Sequence, residues 1–186
     1  MTETAPATRA RIRFDTRTLL TLAAIGAAAG VVVIPTAWAA QVLWAAIPVL
    51  YGLAVVPYVL PGVIAQAVVP QPGSALITGL VAGLISIPFV GGVGPLTLFV
   101  FVAVLQELPS LVTAWRFRGI GMALVTALVL SAAYAAYWAV TLNAEAFAGW
   151  VRITAIALLV VTILLSTLLG LAIAAGLRRA GIRPRR

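Results

Sequence analysis

Apolar residues run along most of this chain in stretches of about twenty, separated by short clusters of glycine, proline and arginine. An apolar stretch of about 20 residues is what a helix needs to cross a bilayer. Six can be laid out: Arg17 to Trp38, Gln41 to Val69, Ser74 to Val90, Pro95 to Trp115, Gly119 to Thr141 and Trp150 to Leu177. PQPG at Pro70–Gly73, VGGVGP at Val90–Pro95 and FRG at Phe117–Gly119 supply turns between them. The second stretch contains Pro48, Pro57 and Pro61, which predict a bend or break, and it is long enough for two short spans.

Arginine placement decides between six spans and seven. With six, Arg9, Arg11, Arg13, Arg17, Arg116, Arg118, Arg178, Arg179, Arg183, Arg185 and Arg186 fall on one side and only Arg152 on the other. Positive charge marks the cytoplasmic side, so the pattern predicts an all-α bundle of six transmembrane helices with both termini inside. Residues 17–178 form its single domain, between basic tails at 1–16 and 179–186. Ala37-Trp38-Ala39 after an arginine-led apolar run also resembles a signal-peptide cleavage site. The run is long for that purpose and five more spans follow, so an uncleaved first helix is expected.

Composition sharpens the class. Hydrophobic residues make up 63% of the chain and charged residues 9%, against about 25% charged in soluble domains. This is the composition of an integral membrane protein. The net charge of +8 is carried by arginine without lysine. It serves topology rather than nucleic acid, and with the abundant alanine it fits a GC-rich bacterium and its cell membrane. Cysteine and histidine are both absent, which removes thiol and imidazole chemistry and the common metal sites. There is no phosphate-binding loop of the G-x-x-x-x-G-K-[ST] type, so no ATPase of that kind. An enzyme is not expected, nor a metal or a cofactor.

Three features could carry function. Glu107, in FVAVLQELPSLV, is one of four acidic residues and the only one deep in an apolar run. It lies roughly 18 Å along its helix from Pro95, where an acid costs about 3 kcal/mol. Pro109 frees the carbonyl of Leu105 beside it, and Gln106 completes a polar group. Glu107 therefore either meets a ligand or hydrogen-bonds to a neighbouring helix. The second feature is aromatic. Ser131, Tyr134, Trp138 and Thr141 share one helical face, with Tyr137 adjacent. Trp38, Gln41 and Trp44 lie at the first outer loop, and Asn143, Glu145 and Trp150 at the last. An interfacial belt accounts for Trp150; Tyr134 and Trp138 lie deeper and could wall a small flat ligand. The third is LAAIGAAAG, Leu22–Gly30, where Ala24 with Ala28, and Gly26 with Gly30, form small-x-x-x-small pairs that admit a close helix partner.

Taken together, these features resemble a substrate-binding S component of an energy-coupling-factor vitamin transporter. The chain is similar in particular to the YkoE-like family associated with thiamine or its hydroxymethylpyrimidine moiety. Pro72-Gly73-Ser74-Ala75-Leu76, Leu105-Gln106, Phe117-Arg118 and Arg178-Arg179-Ala180-Gly181 carry the likeness. The family's acids in spans three and four would fall at Gly79 and Leu111, so Glu107 is shifted by one helical turn. The resemblance implies a subunit that captures a small vitamin from outside. It implies docking through Ala24, Ala28, Gly26 and Gly30 on a transmembrane coupling subunit energised by two separate cytoplasmic ATPases. Glu107, Gln106, Tyr134, Tyr137, Trp138, Trp38, Trp44 and Asn143 would then meet the ligand. The alternatives are a structural or assembly subunit of another membrane complex and a self-contained transporter.

Overall fold

A computed structural model of the chain describes residues 15–113, 119–141 and 149–181. It contains α1 (Thr16–Ala46), a 3-10 stretch (Pro48–Val55), α2 (Val56–Val68), α3 (Ser74–Val90), α4 (Gly94–Val112), α5 (Ile120–Thr141) and α6 (Gly149–Arg179). No strand occurs among the described residues. Five segments are long and apolar enough to cross a membrane, and α3 is a shorter apolar helix of 17 residues. The expected all-helical bundle is present.

Local chemistry sets several boundaries. Asp15 caps α1 by accepting the N–H of Thr18 at 2.9 Å. The helix then runs past Trp38 to Ala46, taking in Gln41 and Trp44, which the apolar pattern assigned to the second stretch. What remains of that stretch divides at Val55, where 3-10 geometry gives way to α2 just before Pro57. Proline is tolerated in a first helical turn because the N–H it lacks has no intrahelical partner there. Gly91, at φ 75°, ends α3 in the left-handed conformation. Pro95 then starts α4, so the two helices form a tight antiparallel hairpin.

The span containing α2 is 56% buried, against at most 39% for the other four long spans, and it forms the centre of the bundle. It packs against α1, α3, α4 and α6, while α5 rests mainly on α4 and α6. Two apolar cores lie along it. One gathers Tyr58, Val59, Phe99, Leu130, Tyr134, Leu159 and Ile163. The other holds Leu22, Ile64, Ala65, Val68 and Ala174, beside the start of α1 and the end of α6. That second end also holds Arg178, whose Nη1 donates to the carbonyl of Ala67 at 3.1 Å, near the end of α2. It is called the arginine end below, and the opposite one the aromatic end.

Helix α1 meets α3 along its glycines. A Cβ on Gly26 would lie 2.6 Å from the carbonyl oxygen of Thr78, and one on Gly30 2.7 Å from that of Ala82. Both glycines are therefore committed to packing inside the chain. Ala24 and Ala28 lie on the opposite, exposed face.

Candidate functional site

At the aromatic end the 3-10 stretch lies against α6, and α5 closes the side. A cavity of about 40 Å³ sits there, lined by Tyr51, Tyr58, Tyr134, Trp138, Leu98 and Leu159 among others. Tyr134 and Trp138 are 8% and 6% exposed, too buried for an interfacial belt. Their spacing on α5 turns both inward, together with Ser131, whose hydroxyl donates to the carbonyl of Ala127 at 2.7 Å. The ring of Trp44 stands edge-on to Tyr51 at 5.4 Å and to Trp138 at 6.4 Å. Phe101 does the same for Tyr134 at 6.3 Å and tilts against Tyr137 at 5.6 Å. Edge-to-face geometry sets the negative face of one ring against the positive edge of the next, and it fixes the cage.

No charged residue lines this cavity among the described ones. The indole N–H of Trp138 is buried and has no hydrogen-bond partner. A buried donor left unpaired costs about 1–3 kcal/mol. It therefore favours an occupant that can accept a hydrogen bond. The chemistry on offer is π faces, apolar walls, the unpaired indole N–H and the hydroxyls of Tyr51, Tyr58 and Tyr134, suited to a flat ring. No group of three or more His, Cys, Asp or Glu side chains occurs among the described residues.

Glu107 is elsewhere. Its Oε2 accepts the N–H of Gly73 at 2.6 Å, and its Oε1 those of Ala75 at 2.9 Å and Leu76 at 3.4 Å. Helix α3 starts at Ser74 after Gly73, which has φ 88° and no side chain to cap with. The first N–H groups of a helix lack intrahelical partners and form the positive end of its dipole. An acid from α4 supplies the missing cap. Glu107 is 2% exposed, lies at the arginine end and does not line the aromatic cavity. The expectation that it meets a ligand beside the aromatics gives way to the hydrogen bond with a neighbouring helix. The carboxyl group can reach this far because the chain turns through Gly73 directly above it.

Gln106 is also turned into the protein. Its Nε2 donates to the carbonyl of Val59 at 2.9 Å, and its Oε1 is buried over Gly62, where a Cβ would collide with it. Gln66 in turn donates to the carbonyl of Gln106 at 3.1 Å. Gln106 thus ties α4 to α2 and does not line the aromatic cavity. Trp38 is 57% exposed on the outside of α1, away from the cage, while Trp44 belongs to it. Asn143 and Glu145 lie outside the described residues, and Trp150 is 68% exposed, as a belt residue would be.

Sequence reasoning missed Tyr51, Tyr58 and Phe101. Tyr51 and Tyr58 lie in the proline-containing stretch, whose change of helical form hid the face they share. Their spacing of seven, two turns of an α-helix, was the available signal.

Residues 17–133 match the family described as ABC-type cobalt transport system, permease component. No curated protein sequence matches the chain. Among solved structures, the chain is similar to one titled "Crystal structure of an S-component of ECF transporter". The TM-score is 0.80 at 18% identity, over 91% of this chain and 88% of that one.

Proposed function

Since the chain belongs to the family of permease components of ABC-type cobalt transport systems, a family of non-enzymatic transport subunits, we propose that it is the substrate-capturing subunit of an importer of the energy-coupling-factor kind. The S-component fold supports this reading, and the buried, uncharged aromatic cage carries it. Its occupant is a small flat heterocycle such as thiamine or hydroxymethylpyrimidine, stacked on Tyr134 and Trp138 and accepting the Trp138 N–H. A ring cation would be held by the aromatic faces. The donor set argues against a bare cobalt ion. The whole chain lacks histidine and cysteine, and no carboxylate lines the cage among the described residues.

Small-ligand sites run from about 300 to 1,000 Å³, and a cavity of about 40 Å³ has room for little more than water. Capture therefore requires the cage to open, with Trp44 on α1 and Trp138 on α5 parting at the outer face. Both termini and the arginine end face the cytoplasm in this reading, following the arginine distribution. The exposed Ala24–Ala28 face of α1 docks on a transmembrane coupling subunit driven by two ATPases, while Gly26 and Gly30 stay inside. Glu107 and Gln106 hold the bundle together and leave ligand contact to the aromatics.

Native mass spectrometry of protein taken straight from membranes tests this, with thiamine, hydroxymethylpyrimidine and Co²⁺ as challenges. A bound organic mass that is lost in Trp138→Ala supports the reading. Retention of Co²⁺ with no organic mass would overturn it.

A further inference from the structure

The arginine end holds a larger cavity that the aromatic cage does not use. It lies between α2, α4, α5 and α6 and measures about 510 Å³, within the range of about 300–1,000 Å³ that small-ligand sites occupy. Its polar lining is Gln66, Ser110, Thr126, Thr167 and Arg178, with no acidic residue among the described ones. The hydroxyls of Thr126 and Thr167 donate to the carbonyls of Met122 and Ile163 at 2.9 and 2.8 Å, so only their lone pairs remain for an occupant. Arg178 uses one N–H on the carbonyl of Ala67. That bond fixes the guanidinium at the rim and leaves four donors of its five unspent. The cavity therefore sets a few polar side chains in a mainly apolar lining, with a cation at its mouth and no carboxylate among the described residues.

A second feature adjoins it. Leu108, Pro109, Val112, Val125 and Val129 line an apolar groove of about 720 Å³ along α4 and α5. Met122 lines both the groove and the larger cavity, so the two meet at the α4–α5 seam. Val112 is 83% exposed and Val125 49%, and both belong to membrane-spanning helices. This juxtaposition calls for an amphiphile: an anionic head where Arg178 stands, and a hydrocarbon chain beside it.

We propose that an anionic phospholipid seats here, with its phosphate against Arg178 and one acyl chain in the α4–α5 groove. Charge complementarity selects the head. The Arg178 guanidinium at the cavity mouth supplies the positive charge that attracts an anionic lipid. A free phosphate would meet Arg178 and leave the apolar lining and the groove unused. A zwitterionic lipid would use the groove and gain little from the arginine.

Native mass spectrometry of the full chain in mild detergent tests this, with equal amounts of dioleoylphosphatidylglycerol and dioleoylphosphatidylcholine. The expected preference for phosphatidylglycerol is about fivefold, the contribution of one arginine beside an anionic lipid. Arg178→Gln abolishes that preference, and Arg178→Lys, which keeps the charge, retains most of it. Val125→Trp fills the exposed groove and lowers phosphatidylglycerol occupancy with Arg178 intact. Equal occupancy by the two lipids in the unmodified protein overturns the proposal. So does displacement of the lipid by inorganic phosphate together with an unaffected Val125→Trp variant, which would mark a site for free anions. The readout is independent of whether the aromatic cage binds a vitamin.

Discussion

Replacing Glu107 by glutamine separates two roles for the only acid within a described membrane helix. In the structure its two oxygens accept three backbone N–H groups at the start of α3. Glutamine keeps the shape and one acceptor oxygen, which can stay with Ala75 and Leu76. Its NH₂ group then faces the N–H of Gly73, donor against donor. One backbone donor left unsatisfied costs about 1–3 kcal/mol. Loss of the charge at the positive end of the helix adds up to about 2 kcal/mol in a partly buried setting. The expected loss is about 2–4 kcal/mol. At roughly 2–4 °C per kcal/mol for a chain of this size, the melting midpoint falls by roughly 5–15 °C. Glu107→Ala strands all three donors and costs more, at least about 3 kcal/mol at about 1–3 kcal/mol for each unsatisfied group.

The assay is thermal denaturation in detergent followed by tryptophan fluorescence, with ligand affinity measured on the protein that stays folded. A cap predicts lower stability and an unchanged Kd. A ligand-binding acid predicts the reverse, a stable protein that no longer binds. Glu107→Gln melting within about 2 °C of the unmodified protein, a shift worth less than about 1 kcal/mol, would refute the cap.

Four further substitutions have definite signs. Gly62→Ala drives a Cβ into the Gln106 amide and should destabilise by about 1–3 kcal/mol; adding Gln106→Ala should recover part of that loss in the same melt. Gly26→Val collides with the backbone of α3 and should lower the yield of folded protein, whereas Ala24→Trp should fold normally and fail to co-purify with a coupling subunit. Co-expression followed by affinity capture reads both, and an Ala24→Trp variant that still assembles removes that face as the dock. Trp138→Phe deletes a buried unpaired donor, so the ligand-free protein should melt slightly higher while affinity for an acceptor-bearing ring falls about tenfold, the equivalent of one lost hydrogen bond. A titration showing unchanged affinity would remove the indole N–H from recognition.

The sequence by itself determined the membrane class and the approximate placing of the helices outside the first two stretches, because bilayer thickness sets a length that apolar runs must meet wherever they fold. It also determined that Ser131, Tyr134 and Trp138 share a face, since helical periodicity is a local property. Only the tertiary structure decided which way each face turned. Both small-residue pairs of α1 look alike in the sequence, yet α3 packs on Gly26 and Gly30 and leaves Ala24 and Ala28 outside. The division of the proline-containing stretch into 3-10 and α segments brought Tyr51 and Tyr58 to the cage from a region whose pattern was ambiguous. Glu107 shows the physical limit most clearly. Its partners are backbone N–H groups more than thirty positions away. Nearly every residue carries such a group, so no pattern of side chains marks them, and only the packing of α4 against the start of α3 could select them.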